Sequence, residues 1–234
     1  MTEEQYSRSE WLLGEGATER LRGAHVAVFG LGGVGSYLVE ALSRMGVGTL
    51  TLIDSDEVAK SNLNRQLYAL QSTLGKRKVD AARERIADIE PRTVVITHPT
   101  FVLPENISEF DFSAFDYVAD AIDTVSAKLA IIKAARAANT PVISAMGAGN
   151  KLDPTAFRVA DIEKTKMCPL ARVMRNELRR AGIRGVRVVY SEEEPRPARY
   201  TDSESGKPLP ASCSFVPSVM GLIMAGEIIK NLTK

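Results

Sequence analysis

The stretch that decides the fold runs from His25 to Asp54 and reads HVAVFGLGGVGSYLVEALSRMGVGTLTLID. It opens with a short apolar run, His25–Phe29, which the glycine-rich segment Gly30–Gly35 follows directly. The segment Gly33–Met45 has helical character and leads to Thr49–Ile53, which we interpret as a second buried strand. Short apolar runs on either side of a helix are typical of parallel strands that are buried on both faces. The stretch therefore predicts a β-α-β unit.

The same alternation of strands and helices continues to about Gly149, after which the rhythm changes. Alternation at these spacings builds parallel sheets with helices on both faces, so we expect a Rossmann-like, doubly wound, mostly parallel α/β sheet. We expect one domain, 1–234, with a nucleotide-binding core at 1–150 and a substrate-side extension of mixed strands and helices at 151–234. A capping-box pattern predicts a helix from near Ser7, and further helices are predicted at Lys76–Glu90, Ala127–Ala138, Pro169–Ala181 and Pro217–Leu232. Further strands are predicted at Thr93–Thr97, Tyr117–Ala121, Val142–Ala145, Phe157–Ala160 and Val186–Tyr190. We also expect a long polar loop from Asp54 to about Gly75 and a mobile loop at Glu192–Ser212.

The composition is that of a soluble globular protein, with 44% hydrophobic residues and a net charge of +1. A charge this small excludes a protein that binds nucleic acid with its whole surface, so any basic footprint must be local. The polar N-terminus has no signal-peptide pattern, and two cysteines without secretory context favour the cytoplasm. The longest apolar run, Phe215–Ile229, contains Pro217, two glycines and Glu227, so we expect a buried helix and no membrane span.

The glycines at 30, 32, 33 and 35 follow a strand and open a helix. Glycine lets the backbone approach a phosphate closely, and the start of a helix offers free N–H groups and a positive dipole end. Asp54 ends the second strand, where a carboxylate can hold ribose hydroxyls. The pattern predicts an adenine-nucleotide site, which enzymes that use NAD, FAD or ATP share.

Polar side chains that suit phosphate chemistry follow Asp54. Nicotinamide chemistry moves a hydride and builds no new charge on phosphate, whereas phosphoryl or nucleotidyl transfer is catalysed mainly by cations around the phosphates. Arg65 and Lys78 therefore favour transfer chemistry, with solvated surface charges as the alternative. The set comprises Asp56, Asn62, Asn64, Arg65, Gln66 and Lys78.

Asp120 and Asp123 stand at the end of the predicted fourth strand. Ligands of such sheets bind beyond the carboxyl ends of the strands, so Asp123 should face the nucleotide and can hold Mg²⁺. The alternative is that Asp123 caps the following helix. We interpret Asp120 as structural.

These motifs resemble the ubiquitin-activating-type superfamily, whose bacterial members include the ThiF/MoeB/HesA adenylyltransferases. Three segments are similar to one branch, the tRNA threonylcarbamoyladenosine dehydratases: Asn64–Leu67, Asp120–Thr124 and Ser144–Pro154. The resemblance implies adenylation of a carboxylate with ATP and Mg²⁺, in a homodimer. It implies that Gly30, Gly32, Gly33 and Gly35 line the ATP phosphates and that Asp54 holds the ribose. The phosphates would be surrounded by Asn62, Arg65, Gln66 and Lys78, and Asp56 and Asn64 would belong to the same nucleotide site. Asp123 would lie near Mg²⁺, and Arg8 would reach into the site of the partner subunit.

Alternatives to this branch remain. The sulfur-carrier activators of the superfamily usually hold a structural zinc with two Cys-x-x-Cys pairs, and two lone cysteines cannot supply four thiolates. Activation of a ubiquitin-like sulfur carrier is nevertheless the second hypothesis, and a sulfur-relay or ubiquitin-like protein partner goes with it. An NAD-dependent oxidoreductase and a non-catalytic nucleotide-binding module are the third and fourth. For Arg8, an ordinary solvated arginine is the alternative.

A basic segment favours an RNA substrate. From Lys164 to Arg187 there are eight Lys or Arg and one acid, Glu177. On the predicted helix at 169–181, Arg172, Arg175 and Arg179 should form one side and contact tRNA, opposite a buried stripe of Leu170, Val173, Met174 and Leu178. A solvated face is the alternative. Cys168 precedes this helix and is either a reactive thiol or, as we favour, an ordinary cysteine.

Overall fold

Seven strands form one sheet in the computed structural model, which describes residues 3–201, 206 and 209–234. The strands are β1 (His25–Phe29), β2 (Thr49–Ile53), β3 (Val94–His98), β4 (Tyr117–Asp120), β5 (Val142–Ala145), β6 (Phe157–Asp161) and β7 (Arg187–Ser191). Their order across the sheet is β3-β2-β1-β4-β5-β7-β6, and every pair is parallel except the antiparallel β6 and β7. The predicted Rossmann-like, mostly parallel α/β sheet is confirmed.

Seven α-helices accompany the strands in the described part of the chain: α1 (Ser7–Leu13), α2 (Ala17–Gly23), α3 (Gly35–Arg44), α4 (Lys78–Ile89), α5 (Val125–Ala137), α6 (Pro169–Arg180) and α7 (Phe215–Leu232). The predicted helices and strands agree with these bounds to within two residues, and α2 was not predicted. Both 1–150 and 151–234 contribute strands to the same sheet. The division into a nucleotide-binding core and a substrate-side extension stays a prediction.

The strand order creates a switch point beside β1. The chain builds outward from β1 through β2 to β3 on one side and through β4 to β5 on the other. The helices that follow β1 and β4 therefore leave on opposite faces of the sheet, and a crevice opens between them at the carboxyl ends of the strands.

Apolar side chains cover both faces of the sheet. Helices α3, α4 and α7 pack on one face, and α5 and α6 pack on the other. Helix α7 lies so close to α3 that a side chain at Gly221 would come within 2.3 Å of the Val34 carbonyl oxygen. By length and composition α7 is the one helix of the described residues that could cross a membrane, but half of it is buried in the fold. It is the core helix that the sequence predicts.

The capping box predicted at Ser7 does not form. The Ser7 hydroxyl donates to the Glu3 carbonyl at 3.3 Å instead of capping the helix. The Glu10 carboxylate accepts the backbone N–H groups of Gly16 and Thr18, at 2.5 and 2.9 Å. Glu10 therefore fixes the start of α2 and does not cap its own helix. The first N–H groups of α2 have no partner within that helix, so they bind the Glu10 carboxylate.

A cluster around Glu90 ties the N-terminal segment to the fold. The Tyr6 hydroxyl and the Arg92 guanidinium both donate to the Glu90 carboxylate, the latter at 2.7 Å, and Arg92 also pairs with Glu3. The hydrogen bond from Arg92 is the largest cause that holds the pKa of Glu90 at about 2, and the bond from Tyr6 also lowers it. Since Tyr6 directly precedes α1, this cluster attaches the start of α1 to the segment between α4 and β3.

Asn150 holds part of the predicted mobile loop Glu192–Ser212, of which residues 202–205 and 207–208 lie outside the described chain. Asn150 donates its N–H to the Ala211 carbonyl at 2.8 Å, and its side-chain oxygen accepts the Ala211 N–H at 2.7 Å. Its φ of 59° lies in the left-handed region, which asparagine tolerates better than most residues. The Asn64 amide donates to the Ser212 carbonyl at 3.2 Å, so this end of the loop lies beside the polar loop that follows β2.

Candidate active site

The glycine-rich turn between β1 and α3 leaves no room for a side chain at Gly30 or at Gly35. Gly30 has a φ of +91°, and a Cβ there would lie 2.8 Å from the Ala121 carbonyl oxygen. A Cβ on Gly35 would lie 1.8 Å from the Gly30 carbonyl oxygen. Gly35 therefore lets α3 pack against the turn. Gly30, Gly32 and Gly33 line the cleft described next, and Gly35 does not.

A cleft of about 350 Å³ opens at the carboxyl ends of β1, β2 and β4, at the switch point of the sheet. The glycine turn, the polar loop after β2 and the turn after β4 meet there. The polar residues at the cleft are Asp54, Ser55, Asp56, Asn62, Arg65, Gln66, Lys78, Thr100, Asp123 and Thr124, and the apolar ones include Val34, Ile53, Phe101, Val102, Ala121, Ile122 and Pro217. The structure thus brings together most of the predicted site residues, with the exceptions given below.

Asp54 connects the glycine turn with the polar loop. Its Oδ2 accepts the Leu31 N–H at 2.7 Å, and its Oδ1 accepts the Asp56 N–H at 2.8 Å. Burial raises the pKa of Asp54, and the positive charge of Lys78 acts in the opposite direction. Each carboxylate oxygen retains a second lone pair, so Asp54 has acceptor capacity for the hydroxyls of a ribose.

The amine of Lys78 is buried within the cleft wall. Lys78 is the first residue of α4 and is 4% exposed. The Lys78 Nζ lies 2.7 Å from Asp56 Oδ2 and 3.9 Å from Asp54 Oδ1. The backbone N–H of Lys78 donates to the Asp56 backbone carbonyl at 2.9 Å. Asp56 is exposed. A buried amine with one exposed carboxylate partner is positioned to exchange that partner for another anion in the cleft.

Arg65 also lines the cleft, from the polar loop that follows β2. Its Nη1 donates to the Ser61 carbonyl at 3.0 Å and to the Asn64 Oδ1 at 2.8 Å. Asn64 itself does not line the cleft. Because its Oδ1 accepts a hydrogen bond from Arg65, its side chain orients the guanidinium. Asn62 and Gln66 line the cleft beside Arg65, and Asn62 Oδ1 also accepts the Ala59 N–H at 3.0 Å.

Asp123 is an exposed carboxylate at the cleft. Helix α5 begins at Val125, and its N-cap residue, Thr124, makes no side-chain cap bond. Since the N-cap residue of α5 is Thr124 and not Asp123, the helix-cap alternative for Asp123 is not observed. Its oxygen has a Thr124 hydroxyl at 3.5 Å. Asp120, in contrast, is completely buried and pairs with Lys128, in agreement with the structural role predicted for it.

The Asp123 carboxylate suits Mg²⁺ only in combination with a nucleotide. The described residues contain no group of three His, Cys, Asp or Glu side chains that would hold a metal on their own. Mg²⁺ typically keeps several waters and binds through one or two carboxylates together with substrate phosphates. Asp123 fits that donor set.

The apolar half of the cleft was not predicted. Phe101 and Val102, which follow β3, line the cleft together with Ile53 at the end of β2 and Ile122 after β4. Pro217 of α7 packs against Gly33, where an added Cβ would lie 3.2 Å from the proline ring. The available signal was the position of Phe101 and Val102 just beyond the carboxyl end of a strand, the edge where the other site residues were expected.

Arg8 and Cys168 lie away from the cleft lining. Arg8 is exposed on α1, where Trp11 and Leu12 are 80% and 85% exposed. Cys168 is buried before α6, with its Sγ 3.6 Å from where a Cβ on Gly147 would lie. A buried thiol favours the ordinary cysteine over a reactive one.

Helix α6 presents two of its three predicted arginines to solvent. Arg172 and Arg179 are exposed, and no carboxylate of the described chain lies within ion-pair distance of either. Arg175 is half-buried, and its guanidinium donates to the Thr165 carbonyl and hydroxyl at 2.7 and 2.8 Å. The buried stripe was partly wrong, because Val173 is 44% exposed and Ala171 packs inward in its place.

Comparison with known proteins agrees with this geometry. The family model described as the ThiF family matches residues 6–234. The tRNA threonylcarbamoyladenosine dehydratase of Bacillus subtilis is 44% identical over 98% of this chain and 95% of that protein. The crystal structure of the Escherichia coli enzyme of that name, TcdA, in complex with ATP superimposes with a TM-score of 0.88 at 34% identity, covering 97% of this chain and 93% of the other. An Aspergillus niger adenylyltransferase and sulfurtransferase, uba4, is 36% identical over 54% of this chain and 26% of that protein. The chain therefore belongs to the ThiF family, in the branch of the tRNA threonylcarbamoyladenosine dehydratases.

Proposed function

We propose that this protein adenylates the carboxylate of threonylcarbamoyladenosine beside the anticodon of a tRNA, using ATP, and then closes a ring with net loss of water. The observation that carries the proposal is the meeting of Arg65 and Lys78 with the glycine turn in one cleft. The names of the Bacillus subtilis and Escherichia coli relatives support the choice of the tRNA substrate.

The difficulty of the reaction is the approach of two anions. A carboxylate is a poor acyl donor because its oxygen leaves badly, and attack on the α-phosphorus of ATP converts that oxygen into AMP, with release of pyrophosphate. At 4 Å each pair of unit charges repels by about 4 kcal/mol at an effective dielectric constant of ~20. Fixed cations that face the phosphates offset this repulsion and cost no reorganisation during the reaction.

The cleft residues divide this work. The glycine turn and the N-terminus of α3 offer backbone N–H groups to the phosphates, and Asp54 accepts hydroxyls of the ribose. Arg65 and Lys78 neutralise the charge that builds at the α-phosphorus, while Asn62 and Gln66 donate hydrogen bonds from their amides. An atom of the carbamoyl group then attacks the activated carbonyl carbon and AMP leaves, so the reaction needs no protein nucleophile. The burial of Cys168 is consistent with that.

Mg²⁺ is part of the proposal, with Asp123 as its protein ligand. When bound, the ion neutralises phosphate charge and orients the pyrophosphate leaving group. The exposed carboxylate of Asp123 supports this assignment, since it is the acidic group at the turn after β4 that remains accessible from the cleft.

A homodimer in which Arg8 reaches the partner's cleft also belongs to the proposal. Helix α1 carries Arg8 together with Trp11 and Leu12, two large apolar side chains that are almost completely exposed. Exposed apolar side chains of this size favour contact with another protein surface. Arg8 does not line the cleft of its own chain, so any contact that it makes with a nucleotide must be in a partner.

The tRNA contacts that we propose lie on α6, through Arg172 and Arg179. Both are exposed and without a carboxylate partner in the described chain, whereas the neighbouring Arg180 pairs with Glu177 at 2.6 Å. Uncompensated arginines are the residues that contribute counterion release when a phosphate binds. Since Arg175 bonds to Thr165, we now assign it mainly to holding α6 in place. A tRNA substrate also agrees with the cytoplasmic location expected from the sequence.

The direct test is incubation of the protein with ATP, Mg²⁺ and total tRNA that contains threonylcarbamoyladenosine. We expect AMP to form together with a modified adenosine that is lighter by one water. tRNA without the modification is the matched control and should give no AMP above background. AMP release that requires a ubiquitin-like protein and ignores tRNA would replace this proposal with activation of a sulfur carrier.

A further inference from the structure

A completely buried ion pair joins α5 to the end of β4. Lys128 of α5 and Asp120 of β4 are both 0% exposed. The Lys128 Nζ lies 3.1 Å from Asp120 Oδ1 and 3.0 Å from Oδ2. The hydroxyl of Ser144, on β5, donates to Asp120 Oδ2 at 2.5 Å. The pair thus connects two neighbouring strands and the helix that covers them.

The same pair holds the turn that follows β4. The Lys128 amine donates a further bond to the Ile122 carbonyl at 2.9 Å, and the Ile122 N–H donates to Asp120 Oδ1 at 3.3 Å. Both main-chain groups of Ile122 are therefore tied to the ion pair. Ala121, Ile122 and Asp123 form one wall of the nucleotide cleft.

This wall packs directly against the glycine turn. The Ala121 carbonyl oxygen lies only 2.8 Å from where a Cβ on Gly30 would be. A shift of the Ala121–Asp123 turn would therefore either collide with the backbone at Gly30 or open a gap beside it. The position of the turn controls the width of the cleft at the point where the two walls meet.

Stability alone is a weak reason for two charges in this place. The cost of removing both ions from water roughly equals their attraction, and apolar replacements of similar volume are often as stable. An ion pair does, however, fix the direction of each bond that it makes. We propose that Lys128 is a positioning residue for the nucleotide site: its amine holds the Ala121–Asp123 turn in the shape that binds ATP. This inference rests on the proposed use of ATP, but not on the identity of the carboxylate substrate.

The test uses a pair of substitutions, because Lys128→Met alone leaves the Asp120 carboxylate buried without a counter-charge, which strongly destabilises a fold. The double variant Lys128→Met with Asp120→Asn removes both charges, retains an acceptor for the Ser144 hydroxyl, and loses the bond to the Ile122 carbonyl. We measure thermal unfolding, and ATP binding by calorimetry without tRNA. We expect a melting temperature close to that of the wild type with an ATP dissociation constant about tenfold higher.

Two further variants complete the experiment. Lys133→Met makes the same chemical change at an exposed position of α5 and should bind ATP as the wild type does. Ser144→Ala retains both charges and removes one bond to Asp120, so we expect a folded protein with about threefold weaker ATP binding. Wild-type ATP affinity in every folded variant would overturn the proposal and leave the ion pair as a purely structural feature.

The readout separates this inference from the proposed function. If the tRNA substrate is wrong, AMP release is absent from the wild type and from all variants alike, while the order of their ATP affinities still tests Lys128. If the substrate is right, the KM for ATP in AMP release should rise in the double variant by about the same factor as the dissociation constant.

Discussion

The amine of Lys78 lies 2.7 Å from Asp56 and 3.9 Å from Asp54, so two carboxylates hold the cation that we assign to the phosphates. The two carboxylates differ in their surroundings. Asp54 is largely buried and bound by two backbone N–H groups, whereas Asp56 is exposed. The amine can therefore leave Asp56 for a phosphate oxygen while Asp54 stays in place and keeps it directed into the cleft.

Removal of the Lys78 amine should impair catalysis more than folding. We expect Lys78→Met to lower kcat/KM for AMP formation by about 10² to 10³, the loss typical of one donor that stabilises transition-state charge. The control is Lys76→Met, because the Lys76 amine pairs with the exposed Glu84 at 2.8 Å and faces away from this chemistry. Activity within threefold of the wild type in Lys78→Met would refute the role that we assign to it.

Arg65 and Asn64 should differ in the size of their effects. Arg65→Ala removes the guanidinium from the cleft, and we expect no measurable AMP formation from a folded protein. Asn64→Ala leaves the guanidinium in place and removes the acceptor that lies 2.8 Å from it, together with the bond from Asn64 to the Ser212 carbonyl, so we expect a loss of about tenfold in kcat. Arg83→Ala, at an exposed position that pairs with Asp80, is the control. Equal activities in the Arg65 and Arg83 variants would exclude phosphate contact by Arg65.

The α6 surface predicts how tRNA binding depends on salt. Each of Arg172→Ala and Arg179→Ala should reduce the slope of log K against log salt concentration by about one unit, because each removes one phosphate contact. Binding is measured by filter retention or anisotropy between low and physiological salt. Arg180→Ala is the matched control, since Arg180 is already paired with Glu177. Unchanged slopes in both test variants would move the RNA-binding surface elsewhere.

The cluster at Glu90 predicts a stability difference that depends on pH. The folded pKa of Glu90 is about 2, below its ordinary value of 4.5, so its contribution is present above pH ~4.5 and is lost as the pH falls towards 2. We expect Glu90→Gln to lower the free energy of unfolding by about 2 kcal/mol at pH 7, and by much less near pH 3. Urea unfolding at both pH values measures this. A deficit that stays constant with pH would show that ionisation of Glu90 is irrelevant. Glu84→Gln, at an exposed carboxylate, should change stability by less than about 0.5 kcal/mol.

Local patterns in the sequence were sufficient for the centre of the fold. Strand β1 is an apolar run after His25, β2 alternates threonine with Leu50 and Leu52, and the glycines between them have a steric reason that the structure confirms at Gly30 and Gly35. The rule that ligands bind at the carboxyl ends of strands then brought Asp54 and Asp123, which are far apart in sequence, to the same cleft.

Features that depend on tertiary packing were not predictable in this way. Helical periodicity placed the arginines of α6 on one side, but it could not show that Arg175 would turn to Thr165 or that Val173 would be left uncovered. The pattern of a capping box was present at Ser7, yet Glu10 binds the start of α2 instead. Asp120 was correctly assigned a structural role, but its partner Lys128 emerges only when α5 is laid across β4.

The most direct test of the account is a crystal structure of this protein with a non-hydrolysable ATP analogue and Mg²⁺. We expect the Lys78 amine to have exchanged Asp56 for a phosphate oxygen, and the Arg65 guanidinium to lie within hydrogen-bonding distance of the phosphates, about 3 Å. A bound nucleotide with both cations directed into solvent, and with Lys78 still on Asp56, would contradict the central claim.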